Sequence, residues 1–170
     1  MRIVAIDPGT TESAIVLLED GRLLSSKILP NPKVVGILRS YAYTTGKATL
    51  AIEMIASYGM AVGASVFSTC VWIGRFTQAW NGGNGTVQVF RKDIKMHLCG
   101  TFRAKDSNIR QALIDRFCKV YGVDDFKQLK GLKKNPGPFY GVASHMWSAI
   151  AVGAYQYDMM HITTSKGATA

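Results

Sequence analysis

Three short apolar runs fill the first thirty residues. RIVAID (2–7) reads as a buried strand, SAIVLLED (13–20) as a second and RLLSSKIL (22–29) as a third. Asp20-Gly21 between the last two is a tight hairpin signal. The pattern then changes period. Pro32 suits a first helical turn, Val34, Val35 and Leu38 make a helical stripe, and Gly46 ends it. ATLAIEMI (48–55) is again a strand.

From Gly59 to Trp80, Val62, Val66, Thr69, Ile73, Phe76 and Trp80 recur in steps of four and three, which predicts one long helix. NGGNG (81–85) is a loop and TVQVF (86–90) a short strand. RKDIKMHLCG opens a basic helical stretch. AKDSNIRQALIDRFCKVYG follows as a helix with Asp106 or Ser107 as its cap and Ile109, Leu113 and Phe117 as its apolar face. Residues 122–138 read as a lysine-rich loop, and a last helix runs from about Gly141 into the 150s. The expected unit is a single domain over 1–160, with 161–170 as a frayed tail. A three-stranded meander followed by helices alternating with strands is an α/β layout with a mixed sheet.

Charge changes this picture more than size does. The 170 residues carry 20 Lys+Arg against 11 Asp+Glu, a formal net charge of +9, which favours a polyanionic partner. Cys70, Cys99 and Cys118 lie far apart without a metal-binding or pairing signature, as expected of reduced thiols in the cytoplasm. No basic-then-apolar leader opens the sequence. Residues 54–74 and 135–157 lack Lys, Arg, Asp and Glu, but their Gly, Ser, Thr and Tyr content fits buried helices better than membrane spans.

The candidate chemistry sits on two strand ends. Asp7 closes an apolar strand and is followed at once by Pro8-Gly9-Thr10-Thr11; Glu53 comes near the end of another. By strand alternation Ala5 shares a face with Asp7, and Ala51 with Glu53. If the two strands are parallel neighbours, both carboxylates project at one sheet edge, where α/β proteins place their sites. Grouped hard oxygen ligands of this kind hold Mg²⁺ or Mn²⁺ for phosphodiester hydrolysis. The bland alternative for a lone strand-terminal Asp is a turn or cap residue. Asp106, beside a basic cluster, reads as a helix cap before it reads as a metal ligand.

IDPGTTESAIV, AIEMIASYG and SHMWSAIAVGA resemble, in order and approximate spacing, the three motifs of RuvC-like Holliday junction resolvases of the RNase H-like superfamily, phage proteins in particular. The resemblance covers roughly residues 1–155. It implies a mixed five-stranded sheet in the order 3-2-1-4-5, with the strands of Asp7 and Glu53 adjacent. It also implies a metal-dependent homodimer that cuts branched DNA, a four-way junction, to leave a 5′-phosphate, in the host cytoplasm if the protein is phage-encoded. Asp7, Glu53 and His145 are then the catalytic and metal-binding residues. Cellular members place two acids three apart in the last motif, at positions matching His145 and Ser148. A serine cannot replace the charge of a carboxylate. An imidazole in place of an acid makes the site softer, so Mn²⁺ should serve better than Mg²⁺.

Arg91, Lys92 and Lys95 follow the last strand, Arg103, Lys105 and Arg110 surround the next helix start, and Lys127, Lys130, Lys133 and Lys134 fill the late loop. Such clusters neutralise phosphates and give sequence-independent affinity. The resemblance places the first two beside the cleft, with Lys92, Lys95, Arg103 and Lys105 as the DNA-binding residues. Phe67, Trp72 and Phe76 read as core packing, with a dimer surface or a junction wedge as the other reading. Two other functions compete. A junction-binding module that no longer cuts draws support from Ser148. A phosphotransferase of the sugar kinase and actin type shares the IDPGTTESAIVLLEDG loop, but it needs two such domains and would bind a nucleotide, for which this chain is too short.

Overall fold

A computed structural model describes residues 1–45, 47–57, 59 and 61–167, with the side chains of 42–45 and 163–167 outside that description. Strands β1 (Arg2–Asp7), β2 (Glu12–Glu19) and β3 (Arg22–Pro30) form an antiparallel meander. Helix α1 (Asn31–Thr45) leads to β4 (Ala48–Met54), and α2 (Ala64–Ala79) to β5 (Gly83–Phe90). Helices α3 (Arg91–Cys99), α4 (Asp106–Tyr121) and α5 (Phe126–Lys130) follow, then a two-stranded ribbon, β6 (Gly131–Leu132) and β7 (Asn135–Pro136), and finally α6 (His145–Gly167). The five long strands are ordered β3-β2-β1-β4-β5, with β4 parallel to both β1 and β5. This is the mixed α/β sheet expected from the sequence.

Alternation along the strands sorts the core into two layers. Val4, Ile6, Ile15, Leu50 and Ile52 face α1 and α2, where Val34, Leu38, Ile73 and Phe76 are buried against them. Ile3, Ala5, Val16, Leu18 and Ala51 face the other way, onto Ala149, Ile150, Val152 and Ala154 of α6 and onto Ile109, Leu113 and Phe117 of α4. Asp7 continues the second set and Glu53 does the same on β4, so both point to the α6 side. Small residues let α6 lie close to the sheet. A Cβ on Gly153 would come within 2.4 Å of the Leu18 side chain and 3.2 Å of the Ala5 Cβ.

Several sequence expectations need correction. The helix expected from Gly59 begins at Ala64, leaving Val62 exposed and outside it. Of the remaining stripe, Thr69, Ile73 and Phe76 are buried and Val66 is half-buried, while Trp80 lies just past the helix as its C-cap and Ala79 is the last buried helical position. Phe76 is core, Trp72 stacks on it at 5.9 Å, but Phe67 is 61% exposed. Strand β5 begins at Gly83, taking in part of the expected loop, because it extends the parallel pairing of β4. Residues 122–138 hold α5 and the ribbon rather than only loop, and Leu129 and Phe139 anchor them in the core. Helix α6 starts at His145 rather than near Gly141 and runs to Gly167, past the point where fraying is expected. The expected stop at Gly46 lies outside the described residues. Asp20 and Gly21 both have positive φ, 48° and 75°, as the two-residue hairpin turn requires.

Candidate active site

The β1–β4 register pairs Ala5 with Ala51 and Ile6 with Ile52. One step further along it sets Asp7 beside Glu53, at the carboxyl ends of two adjacent parallel strands. The chain leaves β1 through Pro8-Gly9-Thr10, and this turn is tied down from beneath. Gly9 N–H donates to Ser13 Oγ at 3.1 Å, the Ser13 hydroxyl donates to Asn31 Oδ1 at 2.6 Å, and Asn31 Nδ2 donates back to Gly9 O at 3.0 Å. Ser13 and Asn31 are buried. A Cβ on Gly9 would lie 2.3 Å from the Glu12 carbonyl oxygen, so only glycine fits there. The loop is held by backbone and buried amide, which leaves the Asp7 carboxylate free for other partners.

Those partners come from the far end of the chain. His145, the first residue of α6, places Nδ1 3.0 Å from Asp7 Oδ2. Against an ionised Asp7 the proton must sit on Nδ1, leaving the lone pair on Nε2 of a side chain that is 72% exposed. Ala149 and Val152, on the same helical face, are fully buried against the sheet, which fixes the direction in which His145 leaves the helix. Ser148 lines the cleft beside His145, together with Arg91, Asp106, Arg110 and Trp147.

Burial decides the charge state of the acids. Glu53 is pushed up to about 7, first by burial and then by the charges of Asp7 and Asp106, with Arg91 and His145 opposing the rise. Burial also raises Asp7, while His145 and Arg91 pull it back. Glu53 Oε2 is buried with no hydrogen-bond partner among the described residues, and Arg91 Nη1 lies 3.6 Å from it. Arg91 Nη2 donates to Asp106 Oδ1 at 2.6 Å, and this hydrogen bond holds Asp106 below the usual carboxylate range. Asp106 is therefore not the cap of α4. Lys105 stands at that position, and Asn108 Oδ1 accepts from its backbone N–H at 2.9 Å.

Among the described residues, no three His, Cys, Asp or Glu side chains converge as a ready-made metal cage. The residues nevertheless fit a hard divalent ion. Two neighbouring carboxylates, one with an oxygen that accepts nothing, make an open site of the kind Mg²⁺ uses, in which water and phosphate fill the remaining positions. Asp7 and Glu53 would hold the ion, with His145 beside it.

The expected DNA-binding side chains sit on the rim. Lys92 and Lys95 line one cleft together with Arg91 and Phe102, a ring that is 58% exposed. Arg103 and Lys105 are exposed in the segment between α3 and α4. Two residues placed beside the cleft only as members of basic clusters make specific contacts in the site. Arg91 appears in the sequence as one more cation of a basic cluster. Arg110, in the second of the clusters expected beside the cleft, stacks over Trp147 at 5.0 Å inside it, a contact that the sequence does not reveal.

No family model matches the sequence, and no curated protein matches it either. Solved structures do match. The chain superposes on RuvC of Thermus thermophilus with a TM-score of 0.66 at 16% identity, covering 95% of this chain and 97% of that one. It also superposes on T. thermophilus RuvC in complex with Holliday junction substrate, with a TM-score of 0.67 at 12% identity and coverage of 96% and 97%. The fold is thus that of RuvC, with the sheet order 3-2-1-4-5 that the three motifs imply.

Proposed function

We propose that this protein is a metal-dependent endonuclease that resolves branched DNA. The observation that carries the reading is that Asp7 and Glu53 sit at the ends of adjacent parallel strands of a RuvC-type sheet, with His145 reaching Asp7 from the far end of the chain. Asp7 and Glu53 would hold a divalent ion, which would supply Lewis acidity toward the phosphate and lower the pKa of the attacking water. The chain's own residues do the rest. Asp7 orients the His145 ring through Nδ1, and Nε2 accepts a proton from the attacking water as its oxygen bonds to phosphorus in line with the P–O3′ bond, which breaks to release a 3′-hydroxyl and leave a 5′-phosphate. Lys92, Lys95, Arg103 and Lys105 hold the DNA backbone at the rim.

The second solved neighbour is described with a Holliday junction substrate, which supports a four-way junction as the substrate class. Such a junction has two related strands to cut, and a symmetric pair of sites matches that need. The apolar side chains Phe67 and Val71, 61% and 56% exposed on α2, offer a face for a second copy. Free Cys70, Cys99 and Cys118 fit a reducing compartment such as the cytoplasm. No helix among the described residues is long and apolar enough to cross a membrane.

Ser148 favours one other reading, a module that binds junctions without cutting them. Cleavage of a labelled four-way junction and of its linear duplex, with Mg²⁺, Mn²⁺ or EDTA, separates the two. Metal-dependent cuts near the branch point, faster with Mn²⁺ than with Mg²⁺, support the nuclease. Tight junction binding without cuts under either ion leaves the binding module.

A further inference from the structure

Arg91 stands where three clefts meet. It lines the one with His145, Ser148 and Asp106, the one with Asp7 and Glu53, and the one with Lys92, Lys95 and Phe102. Its place follows from the sheet. Val89 of β5 pairs with Glu53, so the chain enters α3 directly above the carboxyl end of β4. Nη1 lies 3.6 Å from Glu53 Oε2, and Nη2 lies 2.6 Å from Asp106 Oδ1. The side chain is only 23% exposed, and Nη1 has no hydrogen-bond partner among the described residues.

Compensation of a buried acid would explain the approach to Glu53. It does not explain the second contact, because the Asp106 side chain is 81% exposed and needs no compensation. Nor does it explain an Nη1 that is brought under cover and left one donor short. The charges are more telling. With Glu53 deprotonated by metal binding, Asp7, Glu53 and Asp106 carry three negative charges, which one guanidinium and one divalent ion together neutralise. A second ion would need further acid, and Ser148 stands where the resemblance expects it. Arginine stays charged at any working pH, and its planar fork suits a phosphate.

We propose that Arg91 is the built-in second cation of this site: it occupies the position beside Glu53 and Asp106 that a second divalent ion would take, and it binds a non-bridging oxygen of the scissile phosphate. The inference rests on the nuclease reading and deepens it. One metal ion per chain is bound, and Asp106 is the residue that parks the guanidinium before DNA arrives.

The test counts Mn²⁺ without DNA, by calorimetric titration and by the spin signal of free Mn²⁺, on wild type, Arg91→Met, Arg91→Lys and Asp7→Asn, each checked for folding by thermal unfolding. Wild type and Arg91→Lys should bind one ion per chain. Arg91→Met should take up a second, or bind the first about tenfold tighter, since a partly buried charge near the site is worth at least that much. The same variant should lose junction cleavage, and Arg91→Lys should regain part of it. Two ions in wild type, or unchanged number and affinity in Arg91→Met, would overturn the inference while leaving the nuclease reading intact. Unchanged Mn²⁺ binding by Asp7→Asn would instead remove the metal site beneath both.

Discussion

At the scale of single residues, Glu53 couples acidity to stability. Its carboxyl rises from 4.5 to about 7 on folding, so its neutral form favours the native state. That contribution is complete below the unfolded value and is lost as pH rises through about 7. In the metal-free protein, Glu53→Gln should therefore raise the melting temperature at pH 8 and leave it nearly unchanged at pH 4, with a difference on the order of 2–3 kcal/mol. Metal binding must displace the same proton, so Mn²⁺ affinity should weaken below pH 7, and calorimetry in buffers of different ionisation enthalpy should record proton release near pH 6.

Asp158 carries the opposite sign. Burial would raise it, but bidentate hydrogen bonds from Arg116 at 2.6 and 2.7 Å and a contact with His97 at 2.7 Å hold it below the usual range. The stability it confers is present above the ordinary Asp value and is lost as pH falls through the lowered one. Asp158→Asn should therefore destabilise the protein at neutral pH and flatten the acid limb of its stability profile.

At the scale of elements, the position of His145 depends on how closely α6 approaches the sheet. Gly153→Val would drive two methyl groups into Leu18 and Ala5, and overpacking of this kind costs about 1–3 kcal/mol. The helix must then move outward, carrying His145 away from Asp7. Both a lowered denaturant midpoint and a junction-cleavage rate that falls more than junction affinity should follow. The strands were legible because alternation and the Asp20-Gly21 turn are local signals. The ends of α2 and α6 were not. The start of α2 carries no capping side chain to mark it, since Gly63 stands at that position, and the last turns of α6 have no apolar pattern of their own.

The same division holds in the site. Asp7 and Glu53 declare themselves as acids ending apolar strands, and parallel pairing of those strands brings them together. The buried Ser13–Asn31–Gly9 network does not, because it joins two polar residues 18 apart in sequence that look like ordinary turn and cap positions. Arg91 and Asp106 read as one more cation and one more cap until the structure joins them at 2.6 Å and brings Arg91 to 3.6 Å from Glu53.

At the scale of the whole molecule, the excess of positive charge becomes a direction. The acids lie at the carboxyl end of the central strands, with Lys92, Lys95, Arg103, Lys105 and Arg110 grouped around α3, α4 and the segment between them. DNA affinity should fall steeply with salt. Replacing Lys92 and Lys95 together with Ala should reduce the slope of log K against log salt by roughly 2 and weaken junction and duplex alike. The lysines of α5 and the ribbon, which face solvent, should contribute little to that slope when Lys133 and Lys134 are replaced.

The most direct measurement is cleavage and binding of one labelled four-way junction by wild type, Asp7→Asn and Glu53→Gln in Mn²⁺, read from the same samples. The proposed role of Asp7 and Glu53 requires that all three bind the junction with similar affinity and that only wild type cuts it, at the branch point, leaving 5′-phosphate ends. Cutting by either variant at the wild-type rate would contradict it.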